Sequence, residues 1–391
     1  MKVAFIHDDK KISTGAHYIN DLISIKLKER GVKVRNFYPK APLMDSPRHL
    51  RGLKNILFFY SLLEHKDEIL KCDLIQGTTY TPLTFIPFDI PVISHFGSTT
   101  YGFLKYVTRA HGLEQETGKI FYQLRKLNVI PELNLQTRKP IRDIMEIETY
   151  VASKADAVIA TSLKVKEELS ECKIEKNKIE LIHNAVEDYW YDYTPKPIIA
   201  RPKLVFLNRL GGDVFTFKLK GLDRLIHLYD HLPQLEKVTI AMTSNNKLVG
   251  YLMDRFTNQQ LYKNVVKTRI PEILNPLAGS IFFLASRYEG FSLSLVECMT
   301  QGLIPVAYPV GVAAEVIKNG ENGFLVNNQA EAFVAIEKII NNHDLRLKMS
   351  QNAYKSSLAF KADLMVDKFI ALYKKVLQNY KHKKEIVNLE Q

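Results

Sequence analysis

Positions 286–299 read Ser-Arg-Tyr-Glu-Gly-Phe-Ser-Leu-Ser-Leu-Val-Glu-Cys-Met, with seven residues between Glu289 and Glu297. Gly290 permits a tight turn and the close approach of a ligand. A helix is expected to start near Ser292, which can cap it. The unpaired amides of a helix start form a ready anion site, with Phe291, Ser292 and Leu293 lining it. Glu289 in the loop and Glu297 one to two turns into the helix can reach different parts of one ligand. Two acceptors at fixed separation suit hydroxyl groups on a sugar and on a ribose. Taken alone, the two carboxylates also read as a solvated loop residue and a helix surface residue.

The elements that must position these residues follow one pattern, an apolar strand and then an amphipathic helix. Val3–His7 is a strand and Gly15–Arg30 a helix with Ile19, Leu22, Ile23 and Leu27 on one face. Val32–Tyr38, Leu74–Gln76, Val92–His95, Ala157–Thr161 and Ile179–Ile182 read as further strands. The pattern restarts near residue 203, with strands at Lys203–Asn208, Lys237–Met242, Ile281–Ala285 and Ile304–Ala307 and helices at Gly221–His231 and Ser292–Gln301. Strands alternating with helices predict an α/β fold with parallel sheets covered on both faces. Pro195 and Pro197 break the chain between the halves, so a linker is expected there. Ligands of such sheets bind beyond the carboxyl ends of the strands. Two Rossmann-like domains facing each other across a cleft would place the active site between them.

The bulk composition is that of an ordinary globular chain: 391 residues, 46% hydrophobic and 25% charged. No apolar run reaches the length needed to span a bilayer, and the N-terminus lacks the features of a signal peptide. Cys72, Cys172 and Cys298 lie far apart, which argues against a disulfide framework or zinc site and fits a reducing cytoplasm. The net charge of +12 favours an anionic partner or simply a solvated surface. No nucleic-acid-binding motif accompanies it. Arg48–Tyr60 and Tyr101–Leu127 mix basic and large apolar residues, a pattern suited to peripheral attachment at the inner face of an anionic membrane, although the same aromatics could be core. GxGxxG, Walker A and D-x-D sequences are all missing, so nicotinamide chemistry and a metal held by D-x-D are not expected.

Downstream of Glu297 come Gly302-Leu303-Ile304-Pro305-Val306-Ala307, then Gly311, Glu315 and Gly320-Glu321-Asn322-Gly323-Phe324-Leu325-Val326. The whole run resembles glycosyltransferase family 4, of the GT-B architecture. That family's pattern reads roughly E-G-F-x-L-x-x-x-E-A-M-A-x-G-x-P-V-V-A, then G-x-x-E and N-G-x-L-V. The resemblance implies that Arg209 and Lys220 bind the donor diphosphate. The gap between them is longer than usual, which leaves Lys218 as an alternative to Lys220. His95 matches the family's cleft histidine, though a lone histidine is often structural. Ser13-Thr14-Gly15-Ala16 stands where the family has a Gly-Gly loop, or is a plain strand-to-helix turn. Glu148, Ala155–Ile159, Ser162 and His183–Val186 resemble the end of the family's first domain.

The resemblance implies three parts: a first, acceptor-side domain over 1–195, a nucleotide-sugar-binding domain over 196–362, and a helix over 363–391 that crosses back with a basic tail. Leu364, Met365, Phe369, Leu372, Tyr373 and Val376 form that helix's apolar stripe. The implied enzyme is a metal-independent retaining hexosyltransferase without a cofactor. It would move a hexose-type sugar from a nucleotide diphosphate sugar, UDP-sugar foremost, to a glycan, lipid-linked or protein acceptor. Glu289 would grip the sugar and Glu297 the ribose, with His95, Arg209 and Lys220 completing the catalytic set and Gly15 and Gly290 the donor site. The alternative is a non-catalytic partner subunit of a glycosyltransferase complex.

Overall fold

A computed structural model describes residues 1–8, 15–40, 60–107, 113–130, 139–194 and 197–389. The chain divides into two compact units. One comprises Met1–Gly102, Thr137–Glu187 and Phe360–Gln391, and the other Phe103–Gln136 and Asp188–Ala359.

Among the described residues the first unit holds six parallel strands: β1 Lys2–Ile6, β2 Lys33–Phe37, β3 Leu74–Thr78, β4 Val92–Phe96, β5 Ala157–Ala160 and β6 Ile179–Leu181. Their spatial order is β2-β1-β3-β4-β5-β6. β4 is buried at every residue, as a parallel strand covered on both faces must be. Ala4, Ile6, Ile75, Phe96 and Val158 share one core with Val165 and Leu169 of the helix Leu163–Glu171. That helix starts where Ser162 accepts a bond from the Val165 amide.

The helix Ala362–Leu389 belongs to this unit. It buries Met365, Val366, Phe369, Leu372, Tyr373 and Val376. Leu364, expected on the apolar stripe, is 50% exposed; the inward position is Val366. Tyr373 donates to Gln76 on β3, and Asp363 and Asp367 pair with Arg30.

Among the described residues the second unit also has six parallel strands: β7 Leu204–Gly211, β8 Lys237–Thr243, β9 Gln259–Lys263, β10 Ile281–Leu284, β11 Ile304–Ala307 and β12 Phe324–Leu325. Their order, β12-β11-β10-β7-β8-β9, is the doubly wound order of dinucleotide-binding folds, and it reverses between β7 and β10. β7 runs to Gly211, so Arg209 lies within the strand rather than after it.

Residues 103–136 group with this unit, although they fall inside the 1–195 span expected for the first domain. The reason is apolar: the helix Gln115–Lys126 buries Ile120, Phe121 and Leu124 in the same core as Leu225 and Tyr229 of the helix Leu222–His231. Phe121 and Leu124 therefore face the core, not solvent. Of the basic-apolar stretch Arg48–Tyr60 only Tyr60 is described, and Arg109 and the linker residues Pro195 and Lys196 also lie outside the described residues. Among the described residues, no helix is long and apolar enough to cross a membrane.

Candidate functional site at the carboxyl ends of β7 and β10

Lys220 and Glu289 meet because the chain between β7 and its next helix makes a detour. The residues after β7 form a short extra helix, Val214–Leu219, whose N-cap Asp213 accepts from the Thr216 amide at 2.9 Å. This helix is the longer gap noted between Arg209 and Lys220. Lys220 ends it, and Gly221 turns left-handed at φ 65°. A Cβ on residue 221 would lie 2.0 Å from the Ala285 carbonyl oxygen, so only glycine lets this backbone press against the end of β10. Lys220 Nζ consequently lies 2.7 Å from Glu289 Oε1. Ser286 Oγ donates to the same oxygen at 2.7 Å, and Asn208 Nδ2 reaches Ser286 Oγ at 3.4 Å. A chain of polar groups thus runs from the tip of β7 to the carboxylate.

The loop that carries Glu289 is clamped from β11. Gly311, at φ 54°, leaves no room for a Cβ, which would meet the Phe291 carbonyl oxygen at 2.4 Å. The Val312 amide donates to that same oxygen at 2.8 Å. The left-handed residue of the loop is Ser292, at φ 79°, and not Gly290. A serine in this region is strained. Ser292 stands at the N-cap of the helix Leu293–Thr300, yet its side chain accepts no bond from that helix. The expected serine cap is therefore not made, because a capping residue needs extended backbone angles. Ser292 Oγ is buried without a hydrogen-bond partner among the described residues.

Glu297, on the second turn of this helix, is buried and faces Lys267 Nζ at 3.1 Å. Lys267 begins the turn Lys267–Arg269 after β9. The sequence reading did not single it out.

A second charged cluster fixes the loop from behind, and it too escaped sequence reading. Arg287 donates to both oxygens of Asp223, at 2.7 and 2.6 Å, and to the Lys218 carbonyl at 2.9 Å. Glu114 bridges Arg287 and Arg224. Burial pushes the Glu114 carboxyl up, but the two guanidiniums overcome this and hold its pKa down at about 2. Arg224 also donates to the carbonyls of Ala285 and Ser286, at 3.0 and 3.2 Å, and sits 3.7 Å over the Tyr308 ring. Arg287 is the partner that Asp223, wholly buried, requires.

Arg209 is exposed near the end of β7. Lys218 is fully buried, and its ammonium has no hydrogen-bond partner among the described residues. Burial, helped by the Arg287 charge and opposed by Asp223, lowers its pKa to about 8. Of the two lysines, Lys220 is therefore the one joined to Glu289. Gly290 and Phe291 are buried and Leu293 half-buried.

In the first unit, Gly15 is the exposed first residue of the helix Gly15–Glu29, while Ser13 and Thr14 lie outside the described residues. His95 is on β4, 2% exposed, with its ring edge-on to Phe369 at 5.6 Å. Burial drives its pKa down to about 4 against the opposing effect of Asn184, so the imidazole is neutral at pH 7. Glu148 is buried and accepts from the Thr100 amide and hydroxyl at 2.8 and 2.9 Å. Its pKa is raised to about 7 by burial, which outweighs those two bonds.

Two family models match the chain: Glycosyl transferases group 1 over residues 214–356, and Glycosyltransferase Family 4 over residues 26–188. An uncharacterised glycosyltransferase of Methanocaldococcus jannaschii is 29% identical over 225 residues, covering 53% of this chain and 55% of that protein. The chain thus matches little more than half the length of that relative. Among solved structures, sucrose-phosphate synthase from Thermosynechococcus elongatus superposes with a TM-score of 0.74 at 16% identity, covering 97% of this chain and 99% of that one. The Anabaena protein HepE, solved in complex with UDP-glucose, gives a TM-score of 0.65 at 16% identity and covers 96% of this chain and 100% of that one. These two likenesses concern the fold.

Proposed function

Because the chain belongs to glycosyltransferase family 4 and has the GT-B architecture, we propose that it moves a hexose-type sugar from a nucleotide diphosphate sugar to a glycan, lipid-linked or protein acceptor with retention of configuration. The observation that carries this reading is the Lys220–Glu289 pair, set at the strand-order reversal of the second sheet. A cation and a carboxylate held side by side can divide between them a diphosphate and a sugar hydroxyl. A UDP-sugar is the preferred donor; UDP-glucose bound to the structural neighbour HepE supports that choice.

In the reaction, negative charge grows on the departing diphosphate and positive charge on the sugar ring. Lys220, Arg209 and the amides at the start of the helix Leu293–Thr300 meet the growing negative charge. Each such donor lowers the barrier by about 3 kcal/mol. Glu289 holds the transferred sugar and Glu297 the ribose hydroxyls. The departing phosphate takes the acceptor proton on the same face. These side chains stand in for a metal ion, so the reading needs none. His95, next to last on β4 and neutral, completes the proposed catalytic set.

Peripheral attachment to an anionic membrane belongs to the same reading. Lys119, Tyr122, Arg125 and Lys126 form the exposed side of the helix Gln115–Lys126 and would meet lipid headgroups. Co-sedimentation with acidic vesicles at low salt, released by high salt, is the expected result; no sedimentation at low salt would remove this element.

A panel of UDP-, ADP- and GDP-sugars read by thermal shift tests the donor. Binding to the folded state must raise the melting temperature. A chain whose melting temperature no donor moves would leave the non-catalytic partner subunit as the better account.

A further inference from the structure

We propose that Lys267 is a positioning residue that sets how tightly the protein reads the ribose of its nucleotide, acting through Glu297. The inference rests on the donor reading above, and concerns a residue that the glutamate motif does not contain.

Lys267 lies just past the carboxyl end of β9, at the same end of the parallel strands as Arg209 on β7 and Glu289 after β10. Its Nζ is 3.1 Å from Glu297 Oε1, and the two side chains are only 11% and 6% exposed. Burying a carboxylate without a cation is costly, so the group would turn away or take up a proton. Lys267 offsets that cost through its charge, as an ion pair at 3.1 Å. An ionised carboxylate only accepts hydrogen bonds, and the 2′- and 3′-hydroxyls of a ribose are donors that suit it. Lysine brings donors and no acceptor, so it holds the carboxylate without competing for the role of accepting a ribose hydroxyl. The turn Lys267–Arg269 and the helix Leu293–Thr300 are far apart in sequence. The pair therefore ties ribose recognition to the placement of the loop after β9.

The test compares UDP, ADP and GDP with their 2′-deoxy counterparts by titration calorimetry, on the wild type, Lys267→Met, Lys267→Arg and Lys267→Met/Glu297→Gln. The wild type is expected to prefer the ribonucleotide of its cognate base by roughly 10-fold or more, the range of a hydrogen bond to a charged group. Lys267→Met should abolish most of that preference by weakening the ribonucleotide alone. Lys267→Arg should restore most of it, and the double variant should show none. Thermal unfolding of each variant identifies those that are folded. A merely structural lysine would weaken both nucleotides equally and leave the ratio unchanged, which overturns the inference. A folded Lys267→Met that keeps the wild-type ratio overturns it as well. If the wild type binds no nucleoside diphosphate, or binds both sugars equally, the underlying assignment of Glu297 fails instead.

Discussion

Lys220 Nζ and Glu289 Oε1 are 2.7 Å apart, with only 14% and 12% of their side chains exposed. The pair is held by a backbone contact that only Gly221 allows. A donor sugar diphosphate would have to draw the lysine toward phosphate and leave the carboxylate to a sugar hydroxyl.

The two residues should therefore be coupled. Lys220→Ala and Glu289→Gln are each expected to reduce turnover roughly 100-fold. Contacting charged groups do not add independently, so the double variant should lose less than the sum by about 1–3 kcal/mol. A double-mutant cycle on kcat/KM measures this. Strict additivity would mean that the pair is incidental to the reaction.

The lysines near the loop should separate by function. Arg209→Ala and Lys220→Ala are expected to weaken a nucleoside diphosphate more than the nucleoside, since charge-assisted bonds to phosphate are lost. Lys218 is fully buried, and its ammonium has no hydrogen-bond partner among the described residues. Replacing it by Met removes a buried cation, so stability should stay equal or rise. Calorimetry and thermal unfolding read the two effects. Lost diphosphate affinity in Lys218→Met, with Lys220→Ala normal, would move the phosphate role to Lys218.

His95 gives a pH signature with a definite sign. Its pKa falls from 6.5 to about 4 on folding, so the unfolded chain takes up a proton before the folded one. Stability is intact above pH 6.5 and is lost as pH falls through the window from 6.5 to about 4. The loss approaches 3 kcal/mol as an upper bound. Urea unfolding of wild type and His95→Gln across that window checks it. The difference between the two proteins should shrink toward acid. A constant difference would show that the ring is not held neutral by burial.

The helix Ala362–Leu389 completes the core of the first unit. Phe369→Ala should cost about 3–5 kcal/mol, as for other large buried aromatics. Truncation after Ala362 should leave an insoluble or unfolded chain, read by expression and circular dichroism. A stable truncated protein would show that the first unit does not need Phe369 and Tyr373.

Much of this architecture was legible in the sequence because its signals are local. The six strands of the first sheet and β7, β8, β10 and β11 of the second are short runs that the alternation marks; β9, which is mostly polar and buries only Gln259, and the two-residue β12 carry no such signal and escape sequence reading. Glu289 and Glu297 were legible because loop, glycine and helix start stand together. What was not legible depends on distant partners. Glu114 reaches Arg287 across 173 positions, and nothing near either residue announces it. Lys267 and Glu297 are likewise joined only by the fold. Residues 103–136 lie inside the first half, yet apolar packing on the helix Leu222–His231 draws them to the second unit. Ser292 misled for a different reason. A serine before a helix is ordinarily a cap, but tertiary contacts here hold it left-handed at φ 79°. Leu364 misled because it falls outside the three- and four-residue spacing of Ala362, Val366, Phe369, Tyr373 and Val376, all of which are buried.

The proposed chemistry centres on the Lys220–Glu289 pair. The deciding measurement is release of nucleotide from a panel of UDP-, ADP- and GDP-sugars, with and without saccharide acceptors, by wild type and Glu289→Gln. The account predicts release from one donor class, faster with acceptor, and a loss of roughly 100-fold in the variant while the fold is kept. Release that Glu289→Gln leaves unchanged, or no release from any donor, would contradict it.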